Sequence, residues 1–236
     1  MMIILSSVFF AVLVFLFSRE LFGGKGGIIS LGVYALSPTI LANASITTSD
    51  LLCSGFFLLS TWSTWKVLQK ITLARIILSS FSIALLCVSK MSFLFFLPVY
   101  FVIIFIRIKY GPAMIVKLFS YEKKIKQQSE MLGHILIVVV ANLLIIYSTV
   151  WAFYGFRYRM GQEYQEDTCQ WSTLLASTGN VGKTINVLAE NKILPEAFIH
   201  GFLSVYHNSQ KRYSFMNGAF STEGFLSFFP YSFIIK

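Results

Sequence analysis

Seven apolar runs, separated by short polar or basic segments, dominate the chain. They lie at about 1–17, 27–42, 51–65, 76–89, 91–106, 134–153 and 225–235. A helix needs about 20 apolar residues to cross a bilayer, but shorter or proline-broken helices are tolerated inside a bundle. Pro38 in the second run and the Ser-Lys-Met-Ser break at 89–92 fit that exception. The pattern predicts a transmembrane bundle of about six apolar segments over 1–153 and the start of a further transmembrane helix over 225–236.

Between these apolar parts lies a long polar stretch at 154–224. It is too long for a structureless loop in a compact protein. The segments 171–178, 181–192 and 195–215 have patchy helical periodicity. We therefore predict a small helical cap lying on one membrane surface.

Composition assigns the chain to the membrane. Of its 236 residues 56% are hydrophobic and 12% are charged, against about 25% charged in a soluble domain. The net charge of +9 raises the question of nucleic acid, but many basic residues sit in short loops between apolar runs, where they indicate topology. The sequence predicts an all-α integral membrane protein whose surroundings are membrane lipid, with no nucleic-acid partner.

Basic residues follow the first, third and fifth runs, in loops at 18–26, 66–75 and 107–126. Short loops rich in Lys and Arg stay in the cytoplasm. Placing all three there gives a consistent multi-pass path, in a bacterial inner or plasma membrane or in the ER membrane. Asp50, Lys90 and the stretch 154–224 then lie on the extracytoplasmic face, since long loops translocate largely regardless of charge.

Asp50 is an acid at the edge of an apolar run and has two interpretations. In the first, the Ser49-Asp50 step caps a helix that starts at Leu51 and satisfies its free amides. In the second, the carboxylate deprotonates an acceptor hydroxyl or binds a metal ion at the membrane face. Residue type alone favours the cap and leaves the second interpretation open.

Lys90 stands between two apolar runs, on the same predicted face as Asp50. Its side chain either extends to the interface without a ligand or holds a lipid-linked phosphate. The segment 207–213, His-Asn-Ser-Gln-Lys-Arg-Tyr, is dense in hydrogen-bond donors. It is either a solvated interfacial helix or a phosphate- or sugar-binding segment.

Other short motifs add little. Gly-Asn-Val-Gly-Lys-Thr at 179–184 is similar to the end of a phosphate-binding loop, but Ser177 replaces the first glycine and no buried strand is predicted before it. Asn-Ala-Ser at 43–45 is a glycosylation sequon too close to the membrane for ready modification. His134, His200 and His207 lack metal-ligand spacing, and no protein metal site is predicted.

Three blocks together resemble a known superfamily. The first joins Arg-Glu-Leu-Phe-Gly-Gly-Lys-Gly-Gly at 19–27 to Leu-Ser-Pro-Thr-Ile-Leu-Ala-Asn-Ala-Ser-Ile-Thr-Thr-Ser-Asp-Leu at 36–51. The second is Ile-Ala-Leu-Leu-Cys-Val-Ser-Lys-Met-Ser-Phe-Leu-Phe-Phe-Leu-Pro at 83–98, and the third runs from Arg212 to Lys236. Their order and spacing resemble those of lipid-carrier-dependent glycosyltransferases of the GT-C superfamily. This group includes protein O-mannosyltransferases, of glycosyltransferase family 39, and the aminoarabinose transferase of lipid A.

The resemblance implies a GT-C-like helix bundle with a small extracytoplasmic helical cap. Such enzymes transfer a sugar from a polyprenyl-phosphate donor to a protein or glycolipid acceptor, and a base or a divalent metal ion activates the acceptor. By this resemblance Asp50 matches the second acidic position and is the catalytic candidate. Lys90 matches the family lysine and is a donor-phosphate candidate, as are Lys211 and Arg212 in the third block.

The chain also departs from that pattern. The principal acid of the family lies in a first outer loop that follows a first helix, and this sequence begins at the counterpart of the second helix. The later C-terminal spans have no counterpart either. We therefore expect a segment of a transferase that is inactive alone. The alternative is a non-catalytic membrane protein or transporter-like subunit that binds a lipid or polyprenyl carrier.

Overall fold

The computed structural model of the protein describes residues 2–46, 48–118, 121–159, 178–210 and 213–235. Its contacts divide the chain into two compact units, Met1–Phe153 and Tyr154–Lys236. Helices predominate in both units, together with two small sheets that the all-helical prediction did not contain.

The first unit is built from six helices, a short 3₁₀ helix and a three-stranded sheet. The helices are α1 Met2–Leu36, α2 Pro38–Ser45, α3 Asp50–Gln69, α4 Leu73–Ser89, α5 Phe96–Tyr110 and α6 Gln128–Phe153, with the 3₁₀ helix at Met91–Phe95. The strands are β1 Lys70–Ile71, β2 Met114–Leu118 and β3 Tyr121–Ile125. The apolar runs of this unit are therefore helical, as predicted.

Helix α1 is a hairpin of two arms rather than one straight helix. Its backbone breaks at Gly23, where φ is +76° and ψ is −176°, a conformation that L side chains rarely adopt. The arms then run back along each other, since Ser18 Oγ lies 2.6 Å from Ser30 Oγ and Tyr34 OH donates to the Ser7 carbonyl over 3.1 Å. The first apolar run and the second run as far as Leu36 are thus the arms, and the Gly-Gly-Lys-Gly-Gly segment forms the turn. The rest of the second run, from Pro38, belongs to α2.

Replacement of Gly23 by alanine is expected to destabilise this hairpin by about 1 kcal/mol, because the new Cβ disfavours positive φ. The matched control is Gly24→Ala, whose Cβ would meet no atom within 4 Å and whose φ is not positive. The free energy of unfolding in detergent measures both variants. Equal stability of the two would contradict the left-handed turn.

Helices α3 and α4 form the centre of the unit and pack through small polar side chains. The buried Ser and Thr residues of these two helices are Ser60, Ser63, Thr64, Ser79, Ser80 and Ser82. Ser63 Oγ lies 2.7 Å from Ser82 Oγ, and Ser80 Oγ donates to Asn142 Oδ1 on α6 over 2.6 Å. Asn142 Nδ2 in turn donates to Tyr100 OH on α5 over 3.0 Å. Small residues let helices approach closely, and these hydrogen bonds link all four helices.

The outer faces of the peripheral helices are apolar. On α5 and α6 the exposed side chains include Phe101, Phe105, Leu136, Ile137 and Leu143. Three helical segments in the described chain are long and apolar enough to cross a membrane: Ile3–Leu36, Met91–Tyr110 and Gln128–Phe153. Helix α4 is apolar but shorter. Apolar side chains on the outside and hydrogen-bonded polar side chains between the helices are typical of a helical membrane protein.

The sheet lies at the end of the unit where α3 finishes and α4 begins. Strand β1 pairs in parallel with β2, and β2 pairs antiparallel with β3. Arg107 Nε donates to the Leu68 carbonyl over 2.9 Å, and Lys66 Nζ lies 2.8 Å from Oε2 of Glu20, which precedes the turn of α1. These contacts gather the three basic loops at one end, in the arrangement that the predicted topology requires. The sidedness of that end with respect to a membrane stays a prediction.

In its described residues, the second unit contains a pair of helices, a β-hairpin and a short helix near the C-terminus. They are α7 Gly179–Glu190, α8 Glu196–Gln210, β4 Ser214–Met216, β5 Ala219–Ser221 and α9 Phe228–Ile235. Ile185 and Ala189 of α7 pack against Ile199 and Leu203 of α8. The helical segment predicted at 181–192 corresponds to α7, and the one predicted at 195–215 corresponds to α8 as far as Gln210. Ser214 and Phe215, at the end of that predicted helix, lie in strand β4 instead, and 171–177 lies outside the described residues. Helix α9, within the predicted further span, extends over eight residues and is apolar.

Candidate functional site

The corner between α2 and α3 sets the position of Asp50. Pro38 occupies the first turn of α2, where its fixed φ suits a helix start. The helix ends at Ser45, and the side chain of Asn43 forms hydrogen bonds on both sides of the turn that follows. Its Nδ2 donates to the Thr39 carbonyl over 2.9 Å, and its Oδ1 accepts from Thr48 Oγ1 over 3.3 Å.

Asp50 is the first residue of α3, and Ser49 is the N-cap. The capping interpretation started the helix at Leu51, whereas the helix begins one residue earlier, at Asp50. The Ser49 hydroxyl does not make the hydrogen bond that this interpretation required. A carboxylate in the first turn is stabilised by the positive end of the helix dipole. Its position leaves the carboxylate to interact with groups outside the helix.

Lys90 supplies the partner of that carboxylate. Helix α4 ends at Ser89, and the extended backbone of Lys90, with φ −164° and ψ 145°, separates it from the 3₁₀ helix. Lys90 Nζ forms an ion pair and a hydrogen bond with Asp50 Oδ1. The two residues predicted on one face, 40 positions apart in sequence, are thus in direct contact.

The ion pair is open to ligands. The side chains of Lys90 and Asp50 are 42% and 55% exposed. A salt bridge with this much exposure contributes at most about 1 kcal/mol to stability. A phosphate can therefore compete for the ammonium group at little cost, and the carboxylate released by that exchange is a base.

A cavity of about 340 Å³ lies beside Asp50, between the α1 hairpin, α2 and α3. Its apolar lining consists of Phe10, Val14, Ile40, Leu51, Gly55 and Leu58. Its polar lining consists of Tyr34, Thr39, Asn43, Asp50 and Ser54. Apolar walls with a few convergent polar groups are typical of small-molecule sites, and this volume is at the lower end of their range.

Sequence reasoning missed the polar residues around Asp50. Thr39 and Asn43 are four residues apart, so one face of α2 presents both. This spacing could have indicated that Thr39 and Asn43 lie near Asp50. No sequence pattern indicates that Tyr34 and Ser54 also lie near Asp50, because their positions depend on how the α1 hairpin packs on α3.

The described donor set does not fit a divalent cation. No group of three His, Cys, Asp or Glu side chains in the described ranges lies close enough to hold a metal ion. In addition, Asp50 Oδ1 already faces an ammonium group. We therefore derive no step through a metal ion.

The other candidate segments belong to the second unit. Lys211 and Arg212 lie outside the described residues, and the preceding part of the donor-rich segment, 207–210, is the last turn of α8. The stretch 179–184 forms the first turns of α7, which agrees with its rejection as a phosphate-binding loop.

The site thus combines a carboxylate, an ammonium group and a largely apolar cavity at one end of a helical unit. The residues that carry the resemblance to GT-C glycosyltransferases include both members of the ion pair. That resemblance stays a prediction. In comparisons with known proteins, the chain matches no protein-family model, no curated protein and no solved structure.

Proposed function

We propose that the chain is a segment of a multi-pass, GT-C-like membrane glycosyltransferase. It transfers a sugar from a polyprenyl-phosphate carrier to a hydroxyl of a protein or glycolipid acceptor, on the extracytoplasmic face. The observation that supports this proposal best is the Asp50–Lys90 ion pair beside an apolar cavity. A phosphorylated isoprenoid needs a cation for its head and an apolar surface for its tail, and the two occur together here.

In the proposed reaction, the donor phosphate takes the place of Asp50 as the partner of Lys90. The freed carboxylate accepts the proton of the acceptor hydroxyl while that oxygen bonds to the anomeric carbon. The bond between the anomeric carbon and the phosphate oxygen breaks, and its electron pair leaves with the carrier phosphate. Lys90 stabilises the charge that develops on this leaving group.

The alternative is a non-catalytic membrane protein or transporter-like subunit that binds a lipid or polyprenyl carrier. One observation favours it: among the residues that the structure describes, Asp50 is the single carboxylate that lines this cavity. An ammonium group and an apolar cavity are sufficient to hold a carrier phosphate. Transfer of sugar by the wild-type chain, with its native flanking sequence, distinguishes the enzyme from this alternative.

Replacement of Lys90 by methionine tests the step that both functions share. We expect about tenfold or more weaker binding of a short-chain polyprenyl phosphate, because a charge-assisted hydrogen bond to phosphate is lost. Binding is measured by titration of the purified chain in a neutral detergent.

The matched control is Lys123→Met. Lys123 forms a comparable ion pair with Glu130 at 2.8 Å, and its side chain is 45% exposed. This variant should bind the polyprenyl phosphate like the wild type. Equal loss in both variants, or in neither, would contradict a specific phosphate contact at Lys90.

A further inference from the structure

Arg107, near the end of α5, is a buried charge with no acidic partner in the part of the chain that the structure describes. It is 4% exposed. None of the ion pairs formed within the described chain includes it. Its Nε donates to the Leu68 carbonyl over 2.9 Å and its Nη1 donates to the Pro112 carbonyl over 2.7 Å. The guanidinium group thus donates to two backbone carbonyls.

These contacts offset the buried charge only in part. A cation removed from water is costly unless it is paired and hydrogen-bonded. The carbonyl ends of α3 and α5 carry partial negative charge and stabilise Arg107. A guanidinium group has five N–H donors in a planar fork, however, and two carbonyls leave some of them for an anion.

A second cavity lies against this guanidinium group. It has a volume of about 400 Å³ and is lined by Trp65, Gln69, Ile106, Arg107, Tyr110 and the turn 111–113. Most of this lining is apolar, with Arg107 as its charged group. Trp65 and Tyr110 are of the two residue types that concentrate at the interface between a bilayer and water.

We propose that this cavity binds the phosphate of an anionic phospholipid, with Arg107 as its charge partner. The guanidinium fork matches phosphate oxygens, and the apolar lining accommodates the glycerol and the first acyl carbons. The basic loops at this end of the unit add favourable charge, as in lipid sites beside basic membrane segments. Asp50 lies at the other end of α3, roughly 28 Å away at 1.5 Å per residue, so this proposal does not depend on the proposed function.

The test compares ligands that share either the phosphate or the acyl chains. Thermal unfolding of the chain in a maltoside detergent is followed with added phosphatidylglycerol, with diacylglycerol of the same acyl chains, and with inorganic phosphate. We expect a saturable rise of Tm with phosphatidylglycerol and none with diacylglycerol. A rise with inorganic phosphate equal to that with phosphatidylglycerol would still support a phosphate site and would assign it to free phosphate.

Variants near Arg107 test the site without removing its structural hydrogen bonds. Gln69→Glu places a competing carboxylate in the cavity and should weaken the binding of phosphatidylglycerol by about tenfold. The control Gln127→Glu makes the same change of charge at an exposed position of the same end and should bind like the wild type. Equal protection by phosphatidylglycerol and diacylglycerol, or equal affinity of Gln69→Glu and the wild type, would overturn the proposal.

Discussion

Replacement of Asp50 by asparagine is expected to reduce sugar transfer by about 100-fold or more, because a general base contributes on that scale. Asparagine keeps the shape of the side chain and removes the proton acceptor. The assay measures transfer from a polyprenyl-phosphate sugar by the chain with its native flanking sequence. Folding should be unaffected, since an ion pair with Asp50 55% exposed contributes little to stability.

The matched control for this variant is Glu130→Gln. Glu130 is paired with Lys123 at 2.8 Å, is 43% exposed and lies at the start of α6, away from the cavity. The substitution removes one carboxylate from a comparable ion pair and should leave transfer unchanged. Near-normal transfer by Asp50→Asn would remove Asp50 from the mechanism and leave it a structural residue of the α2–α3 corner.

Replacement of Gly55 by alanine is expected to be the most destabilising single-methyl change at this end of the unit. A Cβ at Gly55 would lie well inside van der Waals contact with the Phe10 ring. That ring is 2% exposed and packs edge-on against Phe56, with centroids 5.6 Å apart, so it has little room to move. We expect a loss of about 1–3 kcal/mol in the free energy of unfolding, as in other overpacked cores.

Two further variants separate this clash from a general effect of alanine. Gly133→Ala, on α6, adds a Cβ that meets no atom within 4 Å and should be neutral or slightly stabilising. In Gly55→Ala/Phe10→Leu the smaller side chain relieves the contact, so the double variant should lose less stability than the sum of the single variants. Additive losses would show that Gly55 and Phe10 do not interact.

The same change should also impair function, because Gly55 and Phe10 both line the cavity beside Asp50. We expect weaker binding of the polyprenyl carrier in Gly55→Ala than in Gly133→Ala. The stability and the binding of this variant thus report on one contact between α1 and α3.

Local features of the sequence were sufficient to predict several parts of this arrangement. The apolar runs indicated helices, and the basic loops placed Asp50 and Lys90 at one end. The structure brings these two side chains into contact. The face on which a charged residue lies can be predicted when the residue adjoins the end of a helix, because the two ends of a helix lie on opposite faces of a bundle.

Other parts depended on contacts that no local pattern reveals. The turn at Gly23 was visible as a glycine-rich segment, but the pairing of Ser18 with Ser30 was not. The cavity is lined by Phe10 of α1 and Gly55 of α3, which come together only when the helices pack. Strand β1 is two residues long, too short to give a periodic signal between two helices.

The hydrogen bonds that buried serines of α3 and α4 make with neighbouring helices have a consequence for membrane insertion. Helix α3 is not among the helices apolar enough to cross a membrane alone, and Ser63 on it finds a partner on α4. Ser80 on α4 in turn finds its partner on α6. A helix that leaves polar groups facing lipid is unfavourable, so we expect α3 and α4 to be more stable in a bilayer as a pair, with α6 packed against α4. We therefore expect this unit to insert into a bilayer cooperatively, because α3 and α4 each depend on contacts with helices that follow them in the sequence.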